Sequence, residues 1–183
     1  LLGQTLYTGS AFGAANMQLG FVYGVYLDTT TNYLYVTDSN NRVGVFDMTV
    51  IVDTEPVIDI LGQTQNNDGV TDQYSISNTN DSPGPNGFWF GTGSGPGSIA
   101  VDTVNHRMFV PDRGNHRVLI FNLDANNNLI DKNADFVLGQ ANLYLGTQLF
   151  STNNLSGPRG VAYDNVNQRL FVADTGRNRV LVY

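Results

Sequence analysis

The strongest constraint in this sequence is self-similarity. The stretch Gly160–Tyr183, GVAYDNVNQRLFVADTGRNRVLVY, recurs as Ser98–Phe121, SIAVDTVNHRMFVPDRGNHRVLIF, and again, one residue shorter, as Gly24–Phe46, GVYLDTTTNYLYVTDSNNRVGVF. A repeated unit makes the fold an array of like elements. Each copy reads as three short strands. In the third copy these are Val161–Tyr163, Leu170–Ala173 and Val180–Tyr183, separated by the polar turns Asp164–Arg169 and Asp174–Arg179. β-Branched and aromatic runs bounded by Asn, Asp and Gly are the strand-and-hairpin signal. Runs such as Val118-Leu119-Ile120-Phe121 are apolar on both faces, as expected of strands buried between two neighbours. A fourth element follows at a distance: Leu-Gly-Gln, at Leu61-Gly62-Gln63, at Leu138-Gly139-Gln140 and at Leu2-Gly3-Gln4. Val57–Leu61 and Phe136–Leu138 lead into it, so it reads as a fourth, outer strand.

Four antiparallel strands repeated radially make the blade of a β-propeller, an all-β fold. The segments Val172-Ala173-Asp174-Thr175-Gly176-Arg177-Asn178-Arg179-Val180 and Val110-Pro111-Asp112-Arg113-Gly114-Asn115-His116-Arg117-Val118 resemble the NHL repeat family, and the trailing Leu-Gly-Gln is similar to bacterial members. The first copy departs from the pattern, because Asp38-Ser39-Asn40-Asn41-Arg42 is one residue short and lacks the glycine. On this reading 1–183 is a single half-propeller domain. Residues 24–63 are blade 1, 64–97 a long insertion, 98–140 blade 2, and 160–183 blade 3 without its outer strand, while 1–4 is an outer strand that completes another blade.

The chain opens on an outer strand and closes on a third strand, and closed propellers typically need four to eight blades. Two copies would make six. Leu1, Leu2, Gly3 and Gln4 of one copy would then clasp Val180, Leu181, Val182 and Tyr183 of the other, a strand exchange within a two-fold homodimer. Two alternatives stay open: a fragment of a longer six-bladed polypeptide, and a head-to-tail filament.

A net charge of −7 with one lysine, Lys132, argues against the RNA-binding basic face of some relatives. The chain has no Cys, hence no disulfide and no thiolate nucleophile. It has no signal-peptide pattern and no initiator Met, which fits a processed or trimmed product. Few lysines among many Asn, Thr, Ser and Gly point to an extracellular or periplasmic setting.

The meander places second-to-third-strand turns and blade-to-blade links on one face, here called upper. The link 64–97 is about fifteen residues longer than its counterparts, and loops of that length are commonly functional. It carries Tyr74 and the triplet Phe88, Trp89 and Phe90, which are the binding candidates if exposed and a local lid if folded back. The pairs Asp38 and Arg42, Asp112 and Arg117, and Asp174 and Arg179 recur in every copy, which favours turn-fixing over a ligand ring. Gly114 and Gly176 are expected to supply positive φ in those turns. Asp28, Asp102 and Asp164 end the innermost strands at the lower rim and either cap turns or gather round a cation. Asp124, Asn126 and Asn128 alternate as in a calcium loop, but Leu129 stands where glycine is needed, so a structural calcium is the weakest of these readings and no other cofactor is indicated. His106 and His116 fall on opposite faces and cannot share one zinc. Asn80-Asp81-Ser82 and Asn154-Leu155-Ser156 match glycosylation acceptors.

The reading favoured is a non-catalytic scaffold that binds protein, peptide or glycan partners through its upper face. The alternatives are a lyase or hydrolase with a cation in the central channel, as the resemblance implies for some six-bladed relatives, and the filament subunit. No nucleophile elbow, phosphate loop or His cluster is present, and no run is long enough for a membrane helix.

Overall fold

The computed structural model describes residues 19–51, 57–62, 83–91 and 95–183. The proposed clasp Leu1–Gln4, Tyr74 and Asn80–Ser82 lie outside them.

Each repeat folds as an antiparallel meander. Strands β1 (Val22–Asp28), β2 (Tyr33–Asp38), β3 (Arg42–Asp47) and β4 (Val57–Leu61) make the first sheet, in that order. The second is β5 (Ala100–Asp102), β6 (Arg107–Asp112), β7 (Arg117–Asn122) and β8 (Phe136–Leu138), again in chain order. The third has β9 (Gly160–Asp164), β10 (Arg169–Asp174) and β11 (Arg179–Val182). Hairpin registers repeat: Asp28 pairs with Tyr33, Asp102 with Arg107, and Asp164 with Arg169. The fourth strands fall where the Leu-Gly-Gln motifs place them. This is an all-β fold of propeller blades in sequence, part of a propeller.

Successive side chains of a strand point to opposite faces, so each blade has a forward and a backward face, and consecutive blades meet forward on backward. Tyr35 and Val45 of blade 1 pack with Ile99, Val101 and Val110 of blade 2 in one buried cluster. Phe109 and Ile120 of blade 2 pack with Val161, Leu170 and Val172 of blade 3 in another. Phe109 and Tyr163 stack across that junction with centroids 5.3 Å apart. At about 1.5–3 kcal/mol per buried large apolar side chain, these junctions hold the array together. Among the described residues the outermost faces have no such cover. Val25 and Leu27, which look backward from blade 1, and Phe171, Val180 and Val182, on the far face of blade 3, are exposed.

The turns correct one sequence expectation. In blades 2 and 3 a short 3-10 turn, Arg113–Asn115 or Thr175–Arg177, ends in a left-handed residue. That residue is His116 (φ 55°) or Asn178 (φ 51°), not Gly114 or Gly176. The glycines are needed for space: a Cβ on Gly176 would stand 2.5 Å from the Ser156 carbonyl oxygen, and one on Gly114 2.5 Å from that of Trp89. Blade 1 omits the 3-10 turn, and Asn41 (φ 55°) takes the left-handed position directly, which accounts for its shorter repeat.

Candidate binding face on the upper side

The Asp–Arg pairs sit at the heart of the upper turns. Arg42 Nε meets Asp38 Oδ2 at 3.0 Å, Arg117 Nε meets Asp112 Oδ2 at 2.6 Å, and Arg179 Nε meets Asp174 Oδ2 at 2.7 Å. All three carboxylates are fully buried, and so is Arg117. Removing one partner of such a buried pair strands the other charge, so these pairs are fasteners and not an open ring of charge.

Each carboxylate also draws in the incoming link. Gly20 N donates to Asp38 Oδ2 (2.9 Å), Trp89 N to Asp112 Oδ1 (2.7 Å) and Ser156 N to Asp174 Oδ1 (2.6 Å). The turn answers: Gly114 N donates to the Trp89 carbonyl at 2.6 Å, and Gly176 N to that of Ser156 at 2.8 Å. Phe88-Trp89-Phe90 is therefore the counterpart of Leu155-Ser156-Gly157. Phe88 and Leu155 are the two plugs. A Cβ on Gly62 (φ 90°) would strike the Phe88 ring at 2.1 Å, and one on Gly139 (φ 88°) would strike Leu155 at 2.7 Å. This gives the Leu-Gly-Gln motif its physical meaning: a bend that only glycine makes easily, closed by an apolar plug from the next link. Its glutamine fastens the same corner, because Gln140 Nε2 donates to the carbonyls of Asn115, His116 and Thr147.

The triplet is thus not one exposed aromatic cluster. Phe88 and Phe90 are fully buried in the junction of blades 1 and 2, their rings stacked with centroids 5.2 Å apart. Trp89 alone reaches solvent, 40% exposed, where blade 3 carries a buried serine. Its backbone is pinned on both sides by the bonds to Asp112 and Gly114. The links around it converge on Arg117, which donates Nη2 to the carbonyls of Gly84 and Gly87 and Nη1 to that of Leu143. Exposed Tyr144, Leu149 and Phe150 continue along the second of these links.

The lower-rim carboxylates cap turns. Asp102 Oδ1 accepts from Val104 N and Asn105 N, and Asp164 Oδ1 from Val166 N and Asn167 N. Asp124 is taken up in the same way, accepting from the backbone of Asn126 and of Asn128 at 2.8 Å each. Among the described residues no three His, Cys, Asp or Glu side chains are grouped to hold a metal ion. His106 Nδ1 lies 2.8 Å from Asn127 Oδ1, while His116 Nδ1 accepts from Gly157 N at 3.0 Å. Burial and Arg113 lower the pKa of His116, consistent with a neutral acceptor. At the second glycosylation tripeptide, Asn154 Nδ2 donates to the Gly139 carbonyl at 2.9 Å, and Leu155 and Ser156 are buried.

Residues 155–183 match the NHL repeat. The other two blades carry the same turn positions in the same partial-propeller fold, outside the matched segment. No curated protein matches it. Among solved structures it is similar to a chain of a nidogen/laminin complex, at 14% identity and a TM-score of 0.47, covering 91% of this chain and 44% of that one. It is also similar to an auxiliary nutrient binding protein from Bacteroides thetaiotaomicron, at 15% identity and a TM-score of 0.48, covering 85% of this chain and 35% of that one. A third is Kuenenia stuttgartiensis hydrazine synthase, at 13% identity and a TM-score of 0.47, covering 88% and 44%. The chain thus spans less than half the length of each. No helix among the described residues is long and apolar enough to cross a membrane.

Proposed function

We propose that this protein is a non-catalytic propeller scaffold that binds a protein or peptide partner through its upper face, with Trp89 as the anchor. The observation that carries this reading is the contrast within the triplet. Phe88 and Phe90 are consumed by the core, whereas the Trp89 side chain is offered to solvent from a backbone held rigid by Asp112 and Gly114. A large aromatic on a fixed backbone is the usual hot-spot chemistry, because little side-chain entropy is lost on binding. A glycan would use the same indole face. The channel-enzyme reading has less support, since Asp102 and Asp164 spend both oxygens on their own turns. The test is Trp89→Ala. Partner capture should fall by tenfold or more (about 2 kcal/mol or above for a hot spot), while the melting temperature changes little. Unchanged capture would overturn the assignment.

The second half of the proposal is assembly, with a second copy as the occupant of the open faces. Phe171 holds the repeat position of Phe109, and Leu27 holds that of Tyr163, which Phe109 stacks on. The forward face of blade 3 is therefore matched to the backward face of blade 1 by the rule that already joins blades within the chain. Two copies joined head to tail at both junctions close a ring of six blades, within the usual range. Blades of the same polypeptide beyond this sequence would satisfy the faces equally, and the mass measurement below separates the two.

A further inference from the structure

Most arginines of this chain are used by the fold. Arg42, Arg107, Arg117 and Arg179 each hold a carboxylate. Arg177 donates to the carbonyls of Leu149 and Ser151. The Arg113 guanidinium, on the upper turn of blade 2, has no hydrogen bond or ion pair among the described residues. The side chain is half-buried, and its nitrogens are not closed to solvent. The turn does not require it, because the same position holds Ser39 in blade 1 and Thr175 in blade 3.

Its place is nonetheless built. A Cβ on Gly91 (φ 79°) would stand 2.7 Å from Arg113 Nη1, so the incoming link passes the guanidinium with room only for glycine. Gly157 (φ 57°) lies along the stem, where a Cβ would stand 3.8 Å from Arg113 Cγ. Trp89 shares the turn: a Cβ on Gly114 would lie 2.6 Å from the indole Cδ2, so the ring rests against the residue next to Arg113. Arg159, two residues beyond Gly157, brings a second positive charge. Burial, then the charge of Arg159, lowers the pKa of the Arg113 guanidinium, and Arg113 acts in the same sense, after burial, on His116. Tyr23 and Gly97 hold the place of Arg159 ahead of the innermost strands of the other blades, so the blade does not require that charge either. Like charges drawn together are unfavourable by themselves and attract an anion, here on a chain whose net charge is −7.

We infer, on the basis of the upper-face reading above, that the partner segment is acidic: the Arg113 guanidinium holds one of its carboxylates, Arg159 adds to the attraction, and a neighbouring apolar side chain lies on Trp89. The guanidinium fork matches a carboxylate through two parallel hydrogen bonds. A partly buried pair of this kind is screened by salt less than one at the open surface. A nucleic-acid phosphate would also suit a guanidinium, but a chain of net charge −7 with one lysine offers a phosphate backbone few contacts and repels it as a whole.

Selection from a random peptide library, with the whole chain as bait, tests this. The native protein should enrich peptides that pair Asp or Glu with an aromatic or aliphatic residue. Arg113→Thr installs the blade 3 residue, so the melting temperature should stay where it is. The same variant should keep the apolar preference and bind a selected acidic peptide at least about tenfold more weakly, the scale of a lost charged hydrogen bond. Replacing the acids of that peptide by Asn or Gln should cost the native protein the same factor and the variant nothing. Enrichment without an acidic preference, or an acidic peptide held equally well by Arg113→Thr, overturns the inference and leaves Trp89 as the anchor. Enrichment that survives Trp89→Ala overturns the anchor instead, and no enrichment overturns both. Single-stranded RNA bound more tightly than the selected peptide, and released by Arg113→Thr, would assign the arginine to phosphate and overturn the acidic segment.

Discussion

Asp102 sits among donors at the lower rim, and its environment has a measurable consequence. Burial acts to raise its carboxyl, but the nearby Tyr163 hydroxyl, Asn105 and the Arg107 guanidinium outweigh it and lower the group to about 2. Tyr163 contributes by proximity, without good hydrogen-bond geometry to any neighbour. A carboxyl lowered on folding stabilises the folded state above its ordinary pKa, and that stability is lost as pH falls from about 4 towards 2. The difference in unfolding free energy between the native protein and Asp102→Asn should therefore shrink by about 1–2 kcal/mol over that window, allowing for solvent screening. Denaturant titrations at neutral pH, at the upper end of the window and at its lower end would read this. A difference constant across pH would contradict it.

The elements show what sequence patterning can and cannot carry. The strands were legible because a β-propeller blade is a local object: β-branched runs, polar turns and a repeat that proofreads itself. β4 and β8 were legible through Leu-Gly-Gln, and the Asp–Arg pairs through recurrence. The role of the turn glycines was not, because it depends on an approach by a link far away in sequence. Ser156 and Trp89 press on Gly176 and Gly114 from outside the hairpins. Nor did the triplet reveal that two of its three rings serve as plugs, because that link is longer than the one carrying Leu155 and conceals the correspondence. The unpaired Oδ2 of Asp28 was hidden for a related reason: its signal is a pair of departures, Thr31 and Tyr33, from the sister repeats, readable only once the register is known. Two substitutions separate the glycine readings. Gly176→Ala should destabilise by about 1–3 kcal/mol through overpacking, whereas Asn178→Gly, at the residue with the left-handed backbone, should be close to neutral. Thermal or chemical denaturation distinguishes these outcomes, and the reverse order would contradict the assignment.

At the scale of the whole molecule the two open faces decide how blades can be added. Blades inside the array bury their apolar faces on each other, and the exposed Val25 and Leu27 at one end and Phe171 and Val182 at the other present apolar surface of the same kind. The decisive measurement is the mass in solution, by native mass spectrometry or light scattering, of the native protein and of Phe171→Asp. A species of twice 19.9 kDa is expected for the native chain and a monomer for the variant, which remains folded because that side chain already stands 37% exposed. A native chain that is monomeric at micromolar concentration would contradict closure by a second copy.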